Sequence, residues 1–592
     1  METIETLRSY TFKALLANSV KKFGDRPALA LSGQKEFSYK EVNRKVNEFA
    51  SILSSLGAKR NDKIAIWGTG RPEWGISYFG IVNQKMTAVP LLPDFTENEV
   101  LNIFEQCDLK ALVVESHLFE KIKNSFDKLP QIVLKLEDFS VLKNDTMLKP
   151  DNTFPLQDVA VNEDDIASII YTSGTTGRSK GVVLTNKNLI WCAIQGQNFH
   201  RLNKFDRIVS FLPLSHVYEF TIGFTMEMMN GSCVYYLGRP PVVSALLPVF
   251  QKVKPTIIVS VPLIMEKIYK NKVLPEINKS KALKTLYKFP LMRKLINKKI
   301  GKTLKKTFGG HLEFLGIGGA KVDEKVEKFM KEAKIPYAIG YGLTETSPLI
   351  AASGTDLTIP GTIGPVVPGV DLKIINKNEK TGVGQIVVKG ENVMKEYYNL
   401  PELTKESFTT KADECGEGYF KTGDLGLLKK IKGKERLILK GRSKNMILSS
   451  SGENIYPEDI ETVLNQHPIV NESLVVEDDK GLVALVQYDE EKLLKEIELR
   501  LNTKLSDKIP DLKPVTLEKL KEKAIDSAQT LIQDILYQKE VIANEIQYFV
   551  NSKINKNSRI SRIQQIGEFQ KTASQKIKRF LYDFKSKNKS KK

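Results

Sequence analysis

A chain of 592 residues, 41% of them hydrophobic, is too long for one core and predicts two to four domains. No apolar run approaches the roughly 18 residues of a membrane span, and the start, METIETLRSYTFKALL, carries acidic residues and no signal-peptide layout, so the chain reads as cytoplasmic. The net charge of +19 favours anionic partners, while four dispersed cysteines without a CxxC pair and five scattered histidines argue against a disulfide framework or a His/Cys metal site.

Taken in order, Thr11 to Lys22 and Ser38 to Leu56 have apolar spacings of three and four and predict helices. Short apolar runs followed by helical patterns come next. KIAIWG (63–68) precedes a helix near 73–84, ALVVE (111–115) one at 117–128, and TIIVSVP (256–262) one near 263–270. That alternation predicts βα units with helices on the faces of a sheet. Residues 279–306 hold eleven Lys or Arg and no acid. Leu283, Leu286, Tyr287, Leu291, Leu295 and Ile296 are spaced for one face of a helix lying on an anionic membrane surface. A solvated basic face is the plainer reading, and no motif supports nucleic acid. From about 355 the texture is β-rich: DLKIIN (371–376), GQIVVKG (384–390) and RLILKG (436–441) suggest a smaller sheet or barrel. Beyond GRSKN (441–445), PEDIETVLNQH (457–467) reads as helix and 472–490 as paired strands. Residues 515–550 read as a long amphipathic helix, and the basic tail as disordered.

TSGTTGRSKG (172–181) is rich in hydroxyls and glycine. It is not a Walker loop: Gly174 and Gly177 are three apart and no Ser or Thr follows Lys180. Its chemistry still suits phosphate. Thr172, Ser173, Thr175 and Thr176 offer hydroxyls, Gly174 and Gly177 expose N–H groups, and Lys180 adds charge. Strand-like flanks, ASIIYTS and GVVLT, make it a hairpin tip between strands.

The pattern resembles the phosphate loop of the adenylate-forming enzymes: acyl-CoA synthetases, luciferases and peptide-synthetase adenylation domains. Further motifs follow in family order. LPLSHVYE (212–219) resembles the second motif, with His216 near the acyl carboxylate. GIGGA (316–320) and GYGLTETSP (340–348) resemble the adenine-binding elements. YFKTGDLG (419–426) resembles the ribose motif, GRSKNMI (441–447) the interdomain hinge, and KTASQKIKR (571–579) the catalytic-lysine motif.

The resemblance implies a multi-domain α/β fold. A large N-terminal domain (1–440) would consist of stacked βα sheets with a small β-barrel-like part at about 355–440. A smaller mobile α+β domain (441–592) would follow, hinged near 442–445 at Lys444. Glu345 is implied as the Mg²⁺ ligand and Thr344 as a partner of the α-phosphate. Gly318, Gly319, Ala320, Gly340, Tyr341 and Gly342 are implied around adenine, Asp424 and Arg442 at ribose, and Lys576 as the catalytic cation of adenylation. The sequence departs from the pattern at Gln575, often Gly, and at Gln385, usually Glu.

The implied reaction uses ATP, Mg²⁺ and coenzyme A to convert a fatty acid to its acyl-CoA, with AMP and pyrophosphate as products. Length, the extra segment near 279–310 and YEFTIGFTMEM after His216 look like the long-chain branch, with Phe220, Gly223, Phe224 and Met226 suited to an acyl tunnel. An acyl carrier protein as acceptor is the nearest alternative, and a non-catalytic nucleotide- or lipid-binding module a second. The protein would be cytoplasmic, with peripheral membrane contact through 279–306; the sequence sets no oligomeric state.

Overall fold

The computed structural model describes residue 7 and residues 9–172, 179–239, 241–320, 322–448, 454–478, 481–502, 529–571 and 577–582. The chain divides into two compact units: Met1–Thr422 with Gly426–Leu439, and Gly423–Leu425 with Lys440–Lys592.

The first unit is built on two eight-stranded sheets. One runs in the order Leu349–Ala352, Tyr337–Gly342, Phe314–Ile317, Ile257–Ser260, Arg207–Ser210, Cys233–Tyr236, Pro27–Leu31, Phe37–Ser38. The six strands from Tyr337–Gly342 to Pro27–Leu31 are parallel, so their carboxyl ends share one edge. The second sheet runs Glu396–Tyr397, Lys180–Thr185, Ile166–Thr172, Thr87–Leu91, Lys63–Trp67, Ala111–Val114, Ile132–Lys135, Val141–Asn144. Its central strands are buried on both faces, which is why KIAIW and ALVV are apolar runs rather than alternating ones. Crossover helices such as Pro72–Asn83 and Asn186–Gly196 cover the sheets.

Local signals set the helix starts. Thr11 accepts a hydrogen bond from Ala14 N–H and begins Phe12–Phe23. Ser38 and Glu41 cap each other at the start of Tyr39–Ser55, a device that stabilises a helix by about 1 kcal/mol. The first helix packs against Pro72–Asn83 through Phe12, in an aromatic cluster with Tyr78, Phe79 and Phe220 whose Tyr78 and Phe220 rings are 4.4 Å apart, and the second packs there through Phe49 against Gly80. Phe220, Phe224 and Met226, expected at an acyl tunnel, are buried core residues here.

The segment 279–306 corrects the single-helix expectation. It forms two helices, Lys281–Leu286 and Pro290–Thr307, because Pro290 holds Phe289 in extended backbone (φ −82°, ψ 124°) and cannot continue the first. The six apolar residues therefore share no common face: Leu283 and Ile296 line a cavity, whereas Leu291 and Leu295 stand in solvent. The β-rich part expected to be barrel-like is a four-stranded sheet of Asp371–Ile375, Gly384–Lys389, Phe420–Ile431 and Lys434–Arg442, and Gly364 bridges to Leu437 on its outer strand.

The second unit has a three-stranded sheet. Val470–Asp478 and Gly481–Tyr488 pair antiparallel, as their sequence predicts, and Ile560–Gln565 adds a parallel strand. Helices Pro457–Asn465, Glu490–Leu501 and Gln529–Asn551 close its core around Ile460, Val486, Ile497, Ile542 and Ile546. The part of the expected 515–550 helix before Gln529 lies outside the described residues. No described helix is long and apolar enough to cross a membrane. Cys107, Cys192 and Cys233 are buried free thiols and Cys415 is half-buried.

Candidate active site

The hairpin expected around TSGTTGRSKG is present in its flanks. Ile166–Thr172 pairs antiparallel with Lys180–Thr185, Thr172 standing opposite Lys180. Ser173, Gly174, Thr175, Thr176 and Gly177 lie outside the described residues. Thr172 ends a strand that runs parallel to Thr87–Leu91, so the loop leaves the carboxyl edge of the second sheet, where open α/β sheets bind ligands.

Lys180 leads to a residue that the motif reading missed. Its Nζ lies over the Tyr397 ring, 4.4 Å from the centroid, and donates to the Tyr397 hydroxyl at 3.4 Å. Tyr397 in turn donates to Glu345 Oε1 at 2.8 Å. A cation at the base of the hairpin and the carboxylate expected to hold magnesium, 165 residues apart, thus meet through one phenol. Backbone bonds fix that phenol. Glu396–Tyr397 is an edge strand on Val182–Val183, Tyr398 N donates to Gly181 O, and Met394 N donates to Glu345 O, the last two at 2.8 Å. Asn188 reinforces the join by donating to Glu391 O and Val393 O. The available signal was the pair of tyrosines in EYYNLPE, a polar stretch in which Tyr397 is nonetheless buried.

Thr344 and Glu345 occupy a short 3₁₀ turn directly after the strand Tyr337–Gly342. Gly342 has to be glycine on grounds of space: a Cβ there would sit 1.5 Å from Pro348 O. That close approach lets Leu343 N donate to Pro348 O at 3.0 Å, while the Thr346 hydroxyl donates to the same oxygen at 2.7 Å, and the turn carrying Glu345 is closed. Gly340 and Tyr341 pair with Ala352 and Ala351. The Tyr341 side chain is buried with the main core rather than standing open.

GIGGA completes the strand Phe314–Ile317 at the same carboxyl edge. Gly318 is buried beneath the ring of Tyr218, to which a Cβ would approach within 3.0 Å; Gly319 and Ala320 are exposed. His216, two residues before that tyrosine, is half-buried, and its Nδ1 accepts from Tyr218 N–H at 3.4 Å. The neutral ring then carries its proton on Nε2. Glu219, three residues further on, is fully buried with no described partner for either carboxylate oxygen. Burial pushes Glu219 up to about 8, and burial likewise raises Glu227.

A cavity of about 750 Å³ opens beside the first sheet. Leu246, Phe250, Ile264, Ile268, Ile300 and Leu304 make its walls apolar, and Ser260 and Leu315 place it against the strands that lead to Val261 and Gly318.

In the second unit Asp424 is buried and Arg442 Nε lies 3.1 Å from its Oδ1. Lys444 is exposed in the 3₁₀ turn Ser443–Asn445, whose neighbours are tied down: Ser443 Oγ donates to Gly423 O at 3.1 Å and Asn445 Nδ2 to Glu458 Oε1 at 2.6 Å. Lys576 lies outside the described residues, although Lys571 and Ile577 on either side pair with each other.

Comparison with known proteins identifies the family and the fold. Residues 16–398 match the family of AMP-binding enzymes. The chain is 29% identical over 494 residues to the long-chain-fatty-acid–CoA ligase FadD15 of Mycobacterium bovis, covering 76% of this chain and 77% of that one. It is 27% identical over 576 residues to the chloroplastic long-chain-fatty-acid–[acyl-carrier-protein] ligase AEE15 of Arabidopsis thaliana, covering 80% and 76%. Among solved structures, ATP-bound MatB of Rhodopseudomonas palustris superposes with a TM-score of 0.72 over 98% of this chain and 99% of that one, at 20% identity.

Proposed function

The chain belongs to the family of AMP-binding enzymes, and from that premise we propose that it is an ATP-dependent long-chain fatty acid–CoA ligase. The observation that carries the reading is the Lys180–Tyr397–Glu345 link at the base of the phosphate hairpin. In the first half-reaction the fatty-acid carboxylate attacks the α-phosphorus of ATP. The bond to the β-phosphate oxygen breaks, giving acyl-adenylate and pyrophosphate. In the second, the thiol of coenzyme A attacks the acyl carbonyl and AMP leaves with the electron pair, the thiol proton passing to solvent.

Both steps need charge stabilised more than protons moved. Lys180 and the hairpin hydroxyls bind the β- and γ-phosphates, and Thr344 donates to the α-phosphate. Glu345 fits a divalent cation: Tyr397 holds one of its oxygens and no described group holds the other. Glu345 would hold Mg²⁺, which would supply positive charge beside the phosphates. No described cluster of three or more His, Cys, Asp or Glu could hold a metal by itself. Gly318–Ala320 and Gly340–Gly342 form the adenine surface, and Asp424, presented beside Arg442, accepts from the ribose hydroxyls. His216 orients the acyl carboxylate through Nε2–H, and Lys576 bridges carboxylate and phosphate oxygens during adenylation.

Two observations support a long-chain acid. Relatives bear that substrate in their names, and the apolar cavity of about 750 Å³ is within the usual size of ligand pockets. The Arabidopsis relative and the +19 charge favour an acyl carrier protein, an acidic partner, as the second reading for the acceptor. The test is ATP–pyrophosphate exchange across a series of fatty-acid lengths, followed by thioester assays with coenzyme A and with carrier protein. Exchange that rises with chain length, and thioester formed on coenzyme A, is the expected result. No exchange with any carboxylic acid would overturn the ligase reading, and product on carrier protein alone would reassign the acceptor.

A further inference from the structure

The basic stretch 279–306 turns its two sides to different environments. Inward, Leu283, Ile296, Ile300 and Leu304 line the apolar cavity. The inner side is also tied to the body of the first unit. Arg293 donates to the Glu332 carboxylate at 2.9 Å, and Asn297 Nδ2 donates to the same group at 2.8 Å. The Tyr287 hydroxyl donates to Asn297 Oδ1 at 3.0 Å.

Outward, four large apolar side chains stand in water: Leu286 (40% exposed), Phe289 (58%), Leu291 (72%) and Leu295 (55%). Leu291 and Leu295 are one turn apart on Pro290–Thr307, and Lys294, Lys298 and Lys302 continue the same face. Lys284 and Lys288 flank the turn that carries Phe289. All five lysines are exposed, and no described carboxylate pairs with them.

We propose that this outer face docks the protein on an anionic phospholipid bilayer, Leu286, Phe289, Leu291 and Leu295 entering the headgroup boundary while the lysines bind lipid phosphates. Apolar tips within a lysine field are the composition such surfaces need. An acidic protein would satisfy the lysines but leave the apolar tips against a polar surface. The same helix walls the cavity, so docking sets that cavity about one helix diameter, roughly 10 Å, from lipid. The inference concerns a surface and stands whether or not the chain is a ligase.

Flotation of the full chain with vesicles tests it. Vesicles of phosphatidylcholine containing about one-third phosphatidylglycerol should carry the protein, with binding that weakens as salt rises; pure phosphatidylcholine should not. Leu291→Ser with Leu295→Ser should lower partition at least ten-fold, and Phe289→Ser, which lies between the two helices, should lower it several-fold. Lys294→Glu, Lys298→Glu and Lys302→Glu together should lower it about 100-fold. None of these side chains lines the cavity, so the melting temperature should be unchanged; the wild-type salt series gives its answer even if a variant fails to fold. Equal binding to neutral vesicles, or anionic binding insensitive to all three variants, overturns the proposal. So do variants that leave vesicle binding intact but lose a soluble dimer, or lose retention on acidic acyl carrier protein.

Discussion

At the residue scale, two side chains to which the motifs assign no role, Tyr397 and Glu219, carry measurable consequences. Tyr397 bridges Lys180 and Glu345, and a hydrogen bond to a charged group contributes about 1.5–3 kcal/mol. Tyr397→Phe keeps the ring under the lysine and removes the hydroxyl. Exchange should fall about ten-fold or more in kcat/KM, with the KM for ATP raised and melting unchanged; unaltered kinetics would reduce Tyr397 to packing. Glu219 sets a pH dependence. Its folded value of about 8 is raised above the ordinary 4.5, so the folded chain keeps a proton that the unfolded chain releases. The stability this group contributes is full below the ordinary value and falls as pH rises towards 8, by roughly 1.4 kcal/mol per unit. Glu219→Gln keeps the shape and the neutral charge. It should raise the melting temperature at pH 8, change it little at pH 5, and flatten the slope between. An unchanged slope would assign that dependence elsewhere, Glu227 being the next buried carboxyl.

The turn that carries Glu345 depends on one close approach. Gly342→Ala would drive a methyl group into Pro348 O, and relief of that overlap would displace the 3₁₀ turn at a cost of about 3 kcal/mol. Lower melting temperature and lost exchange are expected; a variant with normal melting and normal exchange would show the turn to be compliant. Elements of this kind were legible to different degrees. Period-3.6 spacing placed Phe12–Phe23 and Tyr39–Ser55, and apolar runs placed the buried parallel strands, because burial on one stripe or on both faces leaves a pattern in sequence. Glycines marked the ends of the strands Phe314–Ile317 and Tyr337–Gly342, where Gly318 and Gly342 have neighbours too close for a side chain. What stayed hidden depends on partners distant in sequence. Tyr397 acquires its meaning from Lys180 and Glu345, Tyr218 from Gly318, and Ile560–Gln565 from the distant strand Gly481–Tyr488. The break at Pro290 was visible as a proline, but the apolar spacing across it mimicked one continuous face.

Two units divide the whole molecule, and the chain passes between them for the last time at Leu439–Lys440, with Lys444 four residues beyond Lys440. On the proposed reaction, Lys576 serves adenylation and rotation at the hinge serves thioester formation. Lys576→Ala should therefore lose ATP–pyrophosphate exchange by two to three orders of magnitude, as the loss of one transition-state charge does, while thioester formation from supplied acyl-adenylate survives. Lys444→Pro should spare one half-reaction and block the other. Equal losses in both half-reactions for Lys576→Ala, or none for Lys444→Pro, would remove the alternation. The thiols make that motion measurable. All four cysteines lie in the first unit, and burial holds Cys192 and Cys233 up at about 12, far from the reactive thiolate. With Cys415 replaced, one cysteine introduced on each unit could carry a donor and acceptor dye against a nearly silent background. The chain would then report its own half-reactions as a change in energy transfer.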